Sequence, residues 1–182
     1  IGQASFSPDD QTIACTLPLH GTPKIHLFSL KDQQLTPLTK DWTLEAEPWF
    51  NHSGNALYFT ANRQGSVQVF RYNLNTKATT RVSFQGDYNA HPRSNANRTL
   101  LWLQRHALGN TIAIKNQQDE QTHPFTTQED NQSPLFARQG RWIMYTSQYA
   151  GRHVISLSSL DGKVTLRMPA QEGDIQQPTW LD

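Results

Sequence analysis

Seven histidines, His20, His26, His52, His91, His106, His123 and His153, are the side chains best suited here to bind a metal or move a proton near neutral pH. Zinc motifs place two histidines on one helical face or pair them with cysteines at short spacing. None of the seven has such a neighbour, and the only cysteine is Cys15. That lone thiol excludes an intrachain disulfide and leaves the redox compartment open. A hydrolase nucleophile of the Gly-x-Ser-x-Gly type is absent from the sequence. Glu129 and Asp130 are adjacent carboxylates in one loop, an arrangement that faces solvent and does not flank a glycosidic bond. What remains is binding chemistry, carried by acids, amides and aromatic residues whose effect depends on the elements that hold them.

Those elements repeat. Phe6, Phe50, Arg93, Phe136 and Trp180 each start the same frame, at intervals of 44, 43, 43 and 44 residues. Gly21, Gly65, Gly109 and Gly151 give a second frame, and Leu38, Val82, Phe125 and Met168 a third with nearly the same period. Each unit reads as four strands. A short strand A (Ala4–Phe6, Pro48–Phe50, Pro178–Trp180) precedes an apolar strand B (Thr12–Leu17, Ala56–Ala61, Thr99–Leu103, Trp142–Thr146). The near-continuous apolar character of strand B predicts sheets covered on both faces. Strand C follows the glycine (Lys24–Leu30, Val67–Leu74, Thr111–Lys115, His153–Ser158), and strand D closes the unit (Gln34–Leu38, Thr79–Phe84, Thr122–Phe125, Val164–Met168). Turns of Asp, Asn, Gly and Ser separate them.

Four strands in roughly 44 residues match a β-propeller blade. The expected fold is therefore an all-β propeller of four blade-length repeats, with blades at about 4–47, 48–90, 91–133 and 134–176 and a closing strand over 177–182. Hydrophobic residues make up 36% and aromatic residues 10%, enough for a folded core. Trp49, Trp102, Trp142, Tyr58 and Tyr145 fall at repeat positions and read as that core.

In a propeller, strand A lines the central channel and strand D lies outermost. The D-to-A segments, 40–47, 84–91, 126–134 and 170–177, carry eight of the fifteen acidic residues and only one cation, Lys40. Arg63, Arg105 and Arg152 follow strand B on the same expected face, so an acidic mouth lies inside a basic collar. Clustered charge of one sign steers a partner of the opposite sign. The expected contact residues are Glu45, Glu47, Tyr88, Asn89, His91, Asn131, Gln132 and Gln176. Trp42, beside Asp41 in a D-to-A loop, is a further candidate anchor.

The motif Phe6-Ser7-Pro8-Asp9-Asp10 resembles the Phe-Ser-Pro-Asp-Gly signature of the TolB-like propeller family. Glu47-Pro48-Trp49-Phe50 with Leu57-Tyr58-Phe59-Thr60-Ala61, then Arg81-Val82-Ser83-Phe84-Gln85-Gly86, continue the resemblance. Ser158-Ser159-Leu160-Asp161-Gly162, Leu166-Arg167-Met168-Pro169-Ala170 and Gln177-Pro178-Thr179-Trp180 follow the order of that family's C-terminus. Asp10 replaces the usual glycine, the third repeat has Arg93-Ser94-Asn95, and the fourth lacks the Pro-Asp pair. The resemblance implies a periplasmic, non-catalytic scaffold of the Tol–Pal system in Gram-negative envelopes, with roles in envelope integrity and outer-membrane invagination at division. It implies the Pal lipoprotein as partner, other Tol proteins, and colicins that imitate the Pal contact. Within it, Ala46-Glu47-Pro48 occupies the partner-binding start of strand A. It also implies a six-bladed parent with an N-terminal α/β domain, so about two blades and the TolA-binding N-terminus are expected outside this chain.

No cofactor or metal is expected. The competing reading is a channel enzyme, such as a metal-dependent polysaccharide lyase, built on His91, Glu47 and Gln132. A net charge of +1 without a basic stripe argues against nucleic acid, and no apolar run is long enough to span a bilayer. Missing neighbours would expose the flanks of the terminal blades, so self-association, or closure of the four blades on themselves, is expected.

Overall fold

The computed structural model describes residues 3–39, 42–63, 65–107, 109–116, 121–126, 130–137, 140–168 and 178. Gln176 and all of the expected closing strand except Pro178 lie outside these. Two compact units divide the chain, Ile1–Pro92 and Arg93–Asp182.

The first unit opens with β1 (Ala4–Phe6), β2 (Thr12–Leu19), β3 (Thr22–Ser29) and β4 (Leu35–Pro37), an antiparallel sheet in chain order. A second run follows the same order: β5 (Glu45–Phe50), β6 (Ala56–Arg63), β7 (Ser66–Asn73) and β8 (Thr79–Arg81). Strand β9 (Tyr88–Ser94) starts in this unit and meets β7 in parallel at Val67 and Tyr88. The β2–β3 hairpin turns on His20 and Gly21, both at positive φ (50° and 84°). That is the geometry of a two-residue turn that keeps the strand twist, and glycine takes it without strain. Ala14 and Ile25 of the first sheet pack on Phe50, Leu57, Phe59, Ala61, Phe70 and Tyr72 of the second. Strand β6 is buried over six consecutive residues because both of its faces are covered.

In the second unit the end of β9 neighbours β10 (Thr99–His106), followed by β11 (Gly109–Asn116) and β12 (His123–Pro124). The last sheet is β13 (Gln132–Ala137), β14 (Trp142–Tyr149), β15 (Arg152–Ser159) and β16 (Thr165–Met168). Its core joins Leu101 and Ile112 to Ile143 and Tyr145. The fourth strands, β4, β8, β12 and β16, have two to four residues; β4, β12 and β16 are exposed and β8 is partly so. Short, polar-flanked edges of this kind resist pairing with other chains.

Strand A carries a recurring irregularity. The β5–β6 register slips between Ala46 and Trp49, and the β13–β14 register slips between Gln132 and Leu135. In each case two residues oppose one, Glu47 and Pro48 against Phe59 and Ser133 and Pro134 against Tyr145, a β-bulge. Proline is tolerated at a bulge because its missing N–H breaks no ladder bond there. Pro48 and Pro134 fill the bulges, and the residue before each lies at positive φ: Glu47 at 58° and Ser133 at 50°. His91, before Pro92 in β9, lies at 55°. A left-handed backbone at a non-glycine residue costs of order 1–3 kcal/mol, and such residues gather where function holds them.

Candidate functional site

Two rows of polar positions flank each bulge, one turned inward and one outward. The inward row in the first unit starts at Glu45, which is fully buried. Its carboxylate accepts from the Thr39 hydroxyl and from Arg63 Nη2 at 2.8 Å, and lies 3.3 Å from Lys24 Nζ. Lys24 is 1% exposed, and its ammonium also donates to the Thr43 carbonyl at 2.8 Å. The Arg63 guanidinium stands over the Phe59 and Phe70 rings, 6.0 and 5.4 Å from their centroids. One carboxylate is thus gripped by two cations and a hydroxyl, which compensates the loss of water around each charge.

The next repeat builds the same junction from neutral groups. Asn89, fully buried, donates to Gln68 Oε1 at 2.9 Å and to the Gln85 carbonyl at 2.7 Å. Ser83 also donates to Gln68 Oε1, at 2.7 Å, and accepts from the Val69 N–H. In the second unit, Asn131 donates to Thr126 Oγ1 at 3.0 Å and to the Asn110 carbonyl at 3.1 Å, while the Ile112 N–H donates to Thr126. Glu45, Asn89 and Asn131 are therefore one position of the repeat. It closes the loop from strand D to the next strand A from within. These three residues, expected at a partner face, are interior. Nor is Arg63 a free part of the basic collar, being held by Glu45.

The outward row is the residue before each proline. Glu47 is 16% and His91 28% exposed. Glu47 Oε2 accepts from Thr60 Oγ1 at 2.7 Å and from the His91 backbone N–H at 2.8 Å. His91 Nδ1 stands 3.0 Å from Glu47 Oε1 and 3.4 Å from Gln3 Nε2. Three successive strand-A positions, Gln3, Glu47 and His91, thus form one connected polar row. Tyr88 is half-buried at the start of β9. In the second unit Gln132 is half-buried, with its carbonyl accepting from Thr146 Oγ1 at 3.2 Å. Asp130, half-exposed, faces His153 at 4.0 Å. Trp42 is 86% exposed.

Among the described residues, no three His, Cys, Asp or Glu side chains gather as a metal set would require. His91 and Glu47 of the competing enzyme reading meet each other; Gln132 belongs to the other unit. The Ser7 hydroxyl, and then the Gln11 N–H, hold the Asp9 carboxyl below the usual range, and Ser159 and the Lys163 N–H do so for Asp161. Burial pushes the Cys15 thiol up.

A family model described as the TolB beta propeller domain matches residues 1–182. The chain belongs to the TolB β-propeller family. The Tol-Pal system protein TolB of Nitrosospira multiformis is 31% identical over 106 residues, 58% of this chain and 24% of that protein. Its counterpart in Pseudomonas aeruginosa is 32% identical over 100 residues, 53% of this chain and 23% of that protein. The crystal structure of TolB from Acinetobacter baumannii aligns with a TM-score of 0.86 at 25% identity, covering 97% of this chain and 45% of that one. The chain thus spans about a quarter of the length of these curated relatives in the matched region. A more remote structural match is an oligogalacturonate lyase in complex with manganese, at 13% identity and a TM-score of 0.71, a likeness of fold alone.

The TolB-type repeat also identifies residues that the sequence reading passed over. Gln3, Thr60 and Ser133 belong to the outward row or support it. A usable signal existed: Pro48, Pro92, Pro134 and Pro178 recur at intervals of 44, 42 and 44 residues. A proline inside a strand of a sheet marks a bulge or an edge.

Proposed function

We propose that this chain is the propeller part of a non-catalytic periplasmic scaffold in a Tol–Pal system, and that it captures the Pal lipoprotein through the outward row of strand-A residues. Glu47 is the centre of that contact, with His91 and Tyr88 beside it. Gln132 and Gln176 are the proposed contacts further along the chain, and Glu45, Asn89 and Asn131 act as internal supports. The observation that carries this reading is the Glu47 carboxylate. It sits on a strained left-handed bulge, partly open to solvent, and is held by Thr60 and His91. A fixed anion at the start of a strand suits capture of a cationic loop, and strained backbone gathers where binding needs one geometry. The names of the relatives, all components of Tol-Pal systems, support the partner, and roles in envelope integrity and division follow from it.

The test is calorimetric titration of the chain with a purified periplasmic Pal domain at low and high salt. Saturable binding that weakens with salt is expected, and Glu47→Lys should weaken it roughly tenfold or more. Affinity unchanged by Glu47→Lys would remove Glu47 from the contact.

A further inference from the structure

The hydrogen bonds already made by Glu47 limit what a partner can offer it. A carboxylate has two oxygens and about four lone-pair sites. Oε2 accepts two bonds, from Thr60 Oγ1 at 2.7 Å and the His91 N–H at 2.8 Å. It is saturated. Oε1 faces His91 Nδ1 at 3.0 Å, which leaves one acceptor site on that oxygen. A guanidinium fork needs one open site on each oxygen, because its two parallel N–H groups bond the two oxygens side by side. An ammonium is a compact point charge that needs one.

We propose that Thr60, together with the His91 backbone, makes this site selective for a lysine ammonium over an arginine guanidinium. The inference rests on the partner contact assigned above to Glu47. Thr60 and His91 are positioning residues: they act through the carboxylate and need not touch the partner. Thr60 is buried on β6, opposite Ala46 in the register, so its hydroxyl has a fixed direction. The His91 N–H is fixed by the left-handed backbone before Pro92. A cation is the preferred occupant because the remaining acceptor site belongs to a carboxylate within an acid-rich set of loops.

The test replaces each lysine of the periplasmic Pal domain in turn by arginine and by methionine, and titrates every variant against the chain. At one lysine, the arginine variant should bind roughly tenfold more weakly, the scale of one charge-assisted hydrogen bond. Thr60→Val frees one site on Oε2, so the same arginine variant should then bind within about twofold of the lysine form. Thr60→Ser returns the hydroxyl and should restore the tenfold preference. A urea midpoint for each chain variant separates altered selectivity from altered folding, and the lysine scan against the unmodified chain settles the preference without any chain variant. Equal binding of every arginine variant, or a preference that survives Thr60→Val, overturns this inference while leaving Pal capture in place. Absence of any binding by the unmodified chain overturns both.

Discussion

Replacing Glu45 by glutamine leaves the shape of the side chain and removes the carboxylate that contacts both Lys24 and Arg63. Lys24 is 1% and Arg63 20% exposed, so the ammonium cannot regain hydration by a small movement, while the guanidinium keeps one edge toward solvent. Removing one member of a buried ion cluster typically costs about 3–5 kcal/mol, because the partner charge stays buried without compensation. For a chain of this size each kcal/mol lowers the melting temperature by roughly 2–4 °C, so a fall of about 10 °C is expected. The assay is urea unfolding followed by tryptophan fluorescence, with thermal melting alongside. A second variant sharpens the reasoning. Lys24→Gln with Glu45→Asn installs the amides found at Gln68 and Asn89 of the next repeat. It should recover most of the loss, with Arg63 left to reach solvent through its exposed edge. Glu45→Gln within about 1 kcal/mol of the unmodified chain would refute the view that the cluster is a matched buried charge set. Pal binding by Glu45→Gln, measured where the variant is folded, should be close to unchanged, since the residue supports the loop from inside.

Gly140 has φ of +81°, and a Cβ placed there would lie 2.6 to 3.0 Å from Asn95 side-chain atoms. Asn95 caps its own turn by accepting from the Thr99 N–H and donates to the Gly140 carbonyl, so Gly140→Ala should destabilise by about 2 kcal/mol in urea titration; a neutral outcome would show that Asn95 can swing aside. Asp9 and Asp161 have folded-state carboxyls held below their ordinary value by neighbouring hydroxyls and N–H groups. Their contribution to stability is therefore present above the unfolded value near about 4 and is lost as pH falls through the lowered folded value. The urea midpoint should fall less steeply below pH 4 in Asp9→Asn/Asp161→Asn than in the unmodified chain, and equal slopes would remove these turns from the acid response.

Strand order and period were legible because they are written in covalent spacing: turn residues at fixed intervals bound apolar runs such as Ala56–Ala61. The central strands begin where expected and run two or three residues further, to Leu19, Arg63, His106 and Tyr149. Hydrogen bonding continues up to the tight turn after the apolar run has ended. The site was legible only in part. In a regular strand Glu45 and Glu47 would share a face, since side chains alternate with period two. The bulge begins at Glu47 itself, whose left-handed backbone before Pro48 breaks that alternation. Glu45 turns into the protein and Glu47 toward its surface. Asn89 and Asn131 follow Glu45, and nothing in a polar loop residue's type announces burial; its partners Gln68 and Thr126 are known only once the strands are paired. Charge alone therefore could not separate the buried carboxylate of Glu45 from the partly exposed one of Glu47.

The charged cluster in the first unit has a consequence for assembly. A protein made of near-copies must bring each repeat against its proper neighbour, and similar strands invite misplaced pairing. Lys24 lies on β3, in one sheet, while Glu45 and Arg63 lie on β5 and β6, in the next. Elsewhere the same place in the repeat is filled by an amide or hydroxyl. A sheet bearing Lys24 that docks against an amide-bearing neighbour loses the Glu45 carboxylate opposite a buried cation, which is costly. The ion cluster thus works as an address label, allowing two adjacent repeats to recognise each other among interchangeable copies.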